Sequence, residues 1–222
     1  LVGRDVRVSS DAIFEALCRG ITEAGSDVYS MGLATTPMVY YGTAKHSFPA
    51  SVQITASHNP KEYNGLKVSR TGALPVGYDT GLADLEKMVN GGGEPRPAEV
   101  TGVIEDIDIR GEYIEYLKTW ADFSGLQYGI DCSNGMASLL VKDIFGKEPL
   151  YLYDTLDGSF PNHEPNPLIE ENVEALKDLV LEKNLDLGII FDGDADRVMF
   201  VDDRGRFVSP DLMIGILGIY QI

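Results

Sequence analysis

A mixed α/β protein is the fold class this sequence predicts: two consecutive βα domains, each with a largely parallel sheet flanked by helices. Three observations carry that expectation. Short apolar, strand-like runs alternate with amphipathic helical ones along nearly the whole chain, as in sheets whose faces are covered by helices. The alternation breaks once, at the Gly- and Pro-rich stretch NGGGEPRPAEVTG from Asn90 to Gly102, and then restarts; such a stretch reads as a linker. The 222 residues suit two domains split near residue 100 and are enough to bury a core.

Taken in order, LVGRDVRV (1–8) reads as a strand. Ser10 or Asp11 then caps a helix whose apolar positions Ile13, Ala16, Leu17, Gly20, Ile21 and Ala24 recur at helical spacing, with Gly25 as its stop. DVYSMGL (27–33) is a second strand. Thr36-Pro37 opens a second helix, with proline at the first position, where a missing N–H does no harm. ASVQITA (50–56) is a third strand, and GLKVS (65–69) a short fourth after the turn-prone KEYNG. A helix is expected near LADLEKMV (82–89). Past the linker, IRGEYIEYLKTW (109–120) is helical, LQYGIDC (126–132) a strand, GMASLLVKDIF (135–145) a helix and PLYLY (149–153) a strand. The long loop DTLDGSFPNHEPNP (154–167) leads to a helix at IEENVEALKDLVLEKN (169–184) and a strand at DLGIIF (186–191).

Composition narrows the function. With 18 Lys+Arg against 35 Asp+Glu the net charge is −17, which argues against nucleic-acid or anionic-membrane partners, since those need basic patches. Strong acidity also opposes phosphorylated ligands unless local cations or a metal ion reverse the field. Cys18 and Cys132 lie far apart in apolar contexts and are expected to be buried free thiols of a reducing, cytoplasmic compartment. No apolar run is long enough for a membrane span, and LVGRDVRVSS lacks the apolar core of a signal peptide. The chain opens within a strand-like segment and closes within the apolar run GILGIYQI, so it is expected to be part of something longer.

FDGDADR (191–197) follows the apolar strand DLGIIF directly, and open parallel sheets bind ligands beyond the carboxyl ends of their strands. Asp192, Asp194 and Asp196 alternate within five residues and repel one another unless something positive joins them; hard oxygen donors of this kind suit Mg²⁺. The alternative is an exposed acidic turn. A calcium-binding EF-hand loop fits poorly: its sixth position holds Arg197 rather than Gly, its twelfth Asp203 rather than Glu, and strand-like VMFVD replaces the exiting helix. Arg197 reads as a clamp for phosphate or carboxylate, or as simple charge balance for Asp196.

TASHNP (55–60) also sits just after an apolar strand, in the other domain. A Ser-His-Asp hydrolase is the competing thought, but no G-x-S-x-G elbow exists, and His58, as the immediate neighbour of Ser57, is badly placed to deprotonate it. A serine without a triad, facing a Mg²⁺ site, points to phosphoryl transfer instead: a phosphoserine is a stable monoester, and Mg²⁺ neutralises charge on the phosphate oxygens. Lys67 in NGLKV could shuttle a proton or touch phosphate. Taken alone, Ser57 is more often a turn hydroxyl and Lys67 a surface lysine; only their combination shifts the balance.

These motifs together resemble the α-D-phosphohexomutases, in the phosphomannomutase/phosphoglucomutase branch. TASHNP (55–60), YNGLKV (63–68), FDGDADR (191–197), GRDVRVSS (3–10) and TLDGSFPNHEPNP (155–167) occur in the family's order and span nearly the whole chain. The resemblance implies a four-domain enzyme: residues 1–100 as an N-terminally truncated domain I, 103–208 as domain II and 209–222 as the start of domain III, with the rest of domain III and domain IV missing. It implies Ser57 as the phosphoserine, and Mg²⁺ held by Asp192, Asp194, Asp196 and Ser57. Lys67 and His58 match residues of proton transfer and phosphoryl contact, and Arg197 one near the phosphoserine; Arg7 and Asn59 are expected at the substrate or its phosphate. The implied reaction interconverts hexose 1- and 6-phosphates through a hexose 1,6-bisphosphate, which is also the activator.

Two departures from the family are expected to matter. The N-terminal G-x-R-G element is absent, as are the sugar-selecting and phosphate-binding loops of the later domains, so the fragment is expected to turn over little and its sugar preference is unreadable. Competing readings are a non-catalytic sugar-phosphate-binding relative and a Mg²⁺-dependent sugar phosphatase. The apolar run LMIGILGIY is expected to pack on the missing domain or to drive association.

Overall fold

The computed structural model describes residues 1–92 and 97–221. Part of the expected linker, residues 93–96, lies outside the described residues. Two compact units are present: Leu1–Thr55 with Asn64–Tyr113, and Ala56–Tyr63 with Ile114–Ile222. The fold is the expected mixed α/β one.

In the first unit, strands β1 (Val2–Arg4), β2 (Val28–Leu33), β3 (Ala50–Ile54), β4 (Leu66–Arg70), β5 (Leu74–Pro75) and β6 (Ile104–Asp106) form one sheet in the order β5-β4-β3-β1-β2-β6. The β3-β1-β2-β6 part is parallel and β4 and β5 run antiparallel. Helix α1 (Ser10–Glu23) packs Ile13, Phe14, Leu17 and Ile21 against a core of Val2, Cys18, Val28 and Ile54. Its buried face therefore runs through Phe14, Cys18 and Thr22, while the expected Ala16, Gly20 and Ala24 are exposed: the larger side chains have more surface to remove from water and set the helix rotation. Nor does Ser10 cap α1; its hydroxyl donates to Asp5 Oδ1 at 2.5 Å from inside the helix. Helix α2 (Thr36–Lys45) begins at the expected Thr-Pro, with Thr35 Oγ1 accepting from the Met38 N–H at 3.1 Å. Helix α3 (Leu82–Asn90) follows β5. Helix α4 (Arg110–Lys118) carries the chain from the first unit into the second.

The second sheet runs β11-β10-β9-β7-β8, from β7 (Tyr128–Asp131), β8 (Leu150–Leu152), β9 (Leu187–Phe191), β10 (Val198–Asp202) and β11 (Phe207–Val208). Strands β8, β7 and β9 are parallel, and β10 and β11 antiparallel. Both faces are covered. Ile130 and Ile189 belong to one cluster with Tyr128, Cys132, Ala137 and Val141, and the adjacent Ile190 belongs to another with Val173, Leu176, Val180, Leu185 and Val201. This explains why β9 reads as an unbroken apolar run. Gly188 in β9 lets helix α6 (Glu174–Lys183) approach, since a Cβ there would lie 2.9 Å from Leu176 and Val180. The expected helix at 135–145 is a 3-10 turn (Met136–Leu139) followed by the short α5 (Val141–Phe145), and α6 likewise starts as a 3-10 turn (Glu170–Val173). The chain ends in α7 (Pro210–Gln221). Both cysteines are buried free thiols, and among the described residues no helix is long and apolar enough to cross a membrane.

Candidate functional site

Ser57 sits in the β3–β4 connection and Asp192, Asp194 and Asp196 in the β9–β10 connection. Each connection joins the last parallel strand of its sheet to an antiparallel partner, so each loop lies at the carboxyl end of a buried strand. The Ser57 loop, Ala56–Tyr63, is part of the second unit, and there the two loops meet: Ser57 Oγ donates to Asp192 Oδ2 at 2.8 Å.

The acidic loop is wound around its first carboxylate. Asp192 Oδ1 accepts the backbone N–H groups of Asp196 (3.1 Å) and Arg197 (3.0 Å), and the Ala195 N–H returns to the Asp192 carbonyl at 3.2 Å. Ala195 and Ser57 both adopt left-handed backbone, at φ 59° and 55°. Non-glycine residues are rarely held there unless their surroundings enforce it, and such residues gather at functional sites. Gly193 explains part of that enforcement. A Cβ at this position would lie 2.5 Å from the Ser57 carbonyl oxygen and 3.3 Å from Pro165, while the Gly193 carbonyl accepts the Met136 N–H at 2.9 Å.

The electrostatics are those of a cation site. One ligand oxygen from each of Asp192, Asp194 and Asp196 can be chosen with all three within 4.8 Å of one another; Asp192 and Asp194 are buried and Asp196 exposed. Burial pushes the Asp192 carboxyl up to about 8, Asp194 and Asp196 add to the effect, and the bonds from Ser57 and Arg197 only partly offset it. A group of hard carboxylate oxygens that resist ionising together is a donor set that fits a divalent cation such as Mg²⁺.

Of the other candidates, His58 is half-buried beside Ser57 and Asn59 is exposed, its N–H on the Ala56 carbonyl at 3.0 Å. Arg197 is half-buried, with Nε 4.0 Å from Asp196 Oδ1. Arg7 and Lys67 belong to the first unit. Arg7 is buried, its Nε donating to Asp5 Oδ2 at 3.1 Å; Lys67 lies on β4, half-buried and opposite Gln53. Sequence reasoning missed the supporting residues. Gly193 was visible only as a spacer between aspartates, and Ser133, whose Oγ donates to the Phe191 carbonyl at 2.6 Å, only as part of a strand-ending Ser-Asn.

The fold and the site define a two-sheet α/β protein in which a serine with left-handed backbone closes on a cluster of three carboxylates. The comparisons sharpen this. Residues 1–96 match the family described as phosphoglucomutase/phosphomannomutase, alpha/beta/alpha domain I, and residues 111–205 match its domain II. The chain is 34% identical over 98% of its length to a phosphomannomutase of Salmonella montevideo, covering 50% of that protein. It is equally 34% identical, again over 98% of its length and 50% of the relative, to a phosphoglucosamine mutase of Caldicellulosiruptor bescii. A crystal structure of a phosphoglucomutase/phosphomannomutase family protein from Burkholderia thailandensis superposes with a TM-score of 0.84 at 29% identity, over 97% of this chain and 49% of that one. The chain belongs to the phosphoglucomutase/phosphomannomutase family, and it spans about half the length of the curated relatives it matches.

Proposed function

We propose that this chain carries the phosphoserine and metal-binding part of a phosphohexomutase, with residues 1–100 as its first domain, 103–208 as its second and 209–222 as the start of a third. The observation that carries the reading is the 2.8 Å bond from Ser57 Oγ to Asp192 Oδ2 inside a three-carboxylate cluster. That arrangement sets the serine beside carboxylates that would hold a metal, in place of a triad.

In the proposed reaction Ser57 Oγ carries a phosphoryl group. A hydroxyl of a hexose monophosphate forms a bond to phosphorus as the Oγ–phosphorus bond breaks, the hydroxyl proton passes to a base, the departing Oγ takes up a proton, and a hexose 1,6-bisphosphate results. After reorientation Oγ gives up its proton and bonds to the other phosphorus as that phosphorus–sugar oxygen bond breaks, and the freed sugar oxygen takes up a proton. His58 and Lys67 are the proposed proton-transfer and phosphoryl-contact groups, and Arg7, Asn59 and Arg197 the proposed substrate and phosphate contacts. Ser57, when free, is oriented by Asp192. A bound Mg²⁺, held by Asp192, Asp194, Asp196 and Ser57, would neutralise charge on the phosphate oxygens. The proposed setting is cytoplasmic, and the exposed apolar residues of α7 are proposed to pack on a following domain.

The test is product analysis with the full-length protein supplied with hexose 1-phosphate, Mg²⁺ and a trace of hexose 1,6-bisphosphate. Hexose 6-phosphate is expected, with Asp194→Asn abolishing turnover while folding survives; the 222-residue chain alone is expected to turn over little. Free phosphate as the main product would make the protein a phosphatase instead, and neither product would leave a non-catalytic binder.

A further inference from the structure

His163 lies in the loop after β8, and both its ring nitrogens face oxygen. Nε2 is 3.1 Å from Asp131 Oδ2, at the carboxyl end of β7, and Nδ1 is 2.8 Å from the backbone carbonyl of Glu164. A carbonyl only accepts. The other oxygen of the Asp131 carboxylate, Oδ1, accepts the Ser133 N–H at 2.8 Å. A neutral imidazole has one N–H to give, so two acceptors on its two nitrogens require the imidazolium form. The pair is withdrawn from water, with Asp131 fully buried and the His163 side chain only 9% exposed.

The neighbours of this cation are few and identifiable. The Tyr153 ring meets the imidazole edge-on at 5.2 Å, and its phenol is raised by burial and by Asp131. Beyond Asp131 lies the Cys132 thiol, pushed up to about 12 by burial and then by Asp131, and past it the Lys142–Asp154 ion pair at 2.5 Å. The Glu164 side chain is exposed. Burial works against charge on His163, but the hydrogen bond and charge of Asp131, with the Glu164 carbonyl, outweigh it and hold the ring above its ordinary 6.5.

The loop fixed by this pair forms a wall of the serine–aspartate centre. Pro165, two residues on, and the Ser57 carbonyl crowd the same side of Gly193, at 3.3 and 2.5 Å from where a Cβ would sit. Phe160, Glu164 and Pro165 share a cavity of about 180 Å³ with Pro60, Lys61 and Glu62 of the serine loop. Asn162 Nδ2 donates to Asn134 Oδ1 at 2.7 Å, and the Asp157 N–H to the Asn134 carbonyl at 3.0 Å, tying the same loop to the turn after β7.

We propose that His163 is a positioning residue: as an imidazolium locked between Asp131 and the Glu164 carbonyl, it pins the loop after β8 so that Pro165 stays packed where Gly193 meets the Ser57 carbonyl. The inference rests on the proposed role of Ser57 and the aspartates as the phosphoryl and metal centre, and its first measurement stands without that role.

The first measurement is the ring ¹⁵N spectrum of His163 across pH in the wild-type protein. Two protonated nitrogens at neutral pH are expected, with a midpoint above the ordinary 6.5 that falls in Asp131→Asn. The Ser57 and Gly193 backbone amides are expected to shift with that midpoint and to lose the inflection in His163→Gln. A neutral ring at pH 7, or Ser57 and Gly193 amides indifferent to the His163 titration, would overturn the proposal, and neither result depends on a variant that folds. The second measurement is Mn²⁺ affinity at one fixed pH. His163→Gln and Asp131→Asn are each expected to weaken it roughly tenfold, and the double variant no further. Unchanged Mn²⁺ affinity in His163→Gln overturns the positioning role. Absence of Mn²⁺ binding in the wild type contradicts the metal reading, and the positioning role with it, while leaving the ring charge measured in the first experiment intact.

Discussion

The surroundings of Asp192 oppose its charge and hold its proton on, and that makes the cation-free protein sensitive to pH. Unfolded, its carboxyl ionises near 3.8; folded, near 8. Between those values the folded state binds more protons than the unfolded one, so stability falls as pH rises, by roughly 1.4 kcal/mol for each unit separating the two values. Thermal unfolding in chelator is therefore expected to show the midpoint dropping from about pH 4 to about pH 8, with Mg²⁺ restoring it most at the alkaline end. His163 adds in the same direction: its folded pKa is raised, so its contribution is present below 6.5 and lost as pH climbs through the folded value. A cation-free profile that is flat over this window would show that the carboxylates are not crowded as described. Gly193 gives a second prediction. Gly193→Ala places a methyl 2.5 Å from the Ser57 carbonyl and is expected to lower stability by about 1–3 kcal/mol and to weaken Mg²⁺ binding, as chemical denaturation and metal titration would measure. At this scale the sequence revealed the residues whose chemistry is carried by type, a serine and three aspartates at strand ends. It hid Gly193 and His163, because a close approach and a pair 32 residues apart leave no local pattern.

Both site loops are the same kind of element, the link from a buried parallel strand to an antiparallel neighbour. The strands that position them were legible because they are covered on both faces and read as apolar runs. Strand β6, three exposed residues at a sheet edge, was not legible, since it has neither alternation nor an apolar core. The helix expected at 135–145 is interrupted at Leu140, whose backbone (φ −123°, ψ −31°) leaves helical geometry between the 3-10 turn and α5, a local departure that propensity does not register. The exposed face of α1 offers a clean test of the helix assignment. Gly20 lies in its interior with nothing within 4 Å of an added Cβ, so Gly20→Ala is expected to raise stability by about 0.5–1 kcal/mol. A loss of stability on chemical denaturation would mean that the face is not free.

The whole molecule combines a net charge of −17 with an apolar helix. On α7, Leu212, Ile214, Ile216, Leu217 and Ile219 are all exposed, a contiguous apolar surface of the kind that marks an interaction site. The 222-residue chain on its own, without a following domain over α7, is expected to self-associate through this helix despite its charge. Sedimentation velocity should show a concentration-dependent shift that Ile214→Glu with Leu217→Glu removes; a monomer at every concentration would contradict it. The central claim is that Ser57, closed on Asp192, is the phosphoryl carrier. Peptide-level mass measurement of the full-length protein after treatment with a hexose 1,6-bisphosphate and Mg²⁺ tests it most directly. One phosphoryl group on Ser57, absent from Ser57→Ala, is the predicted result; a phosphoryl group on another residue, or none at all, would contradict it.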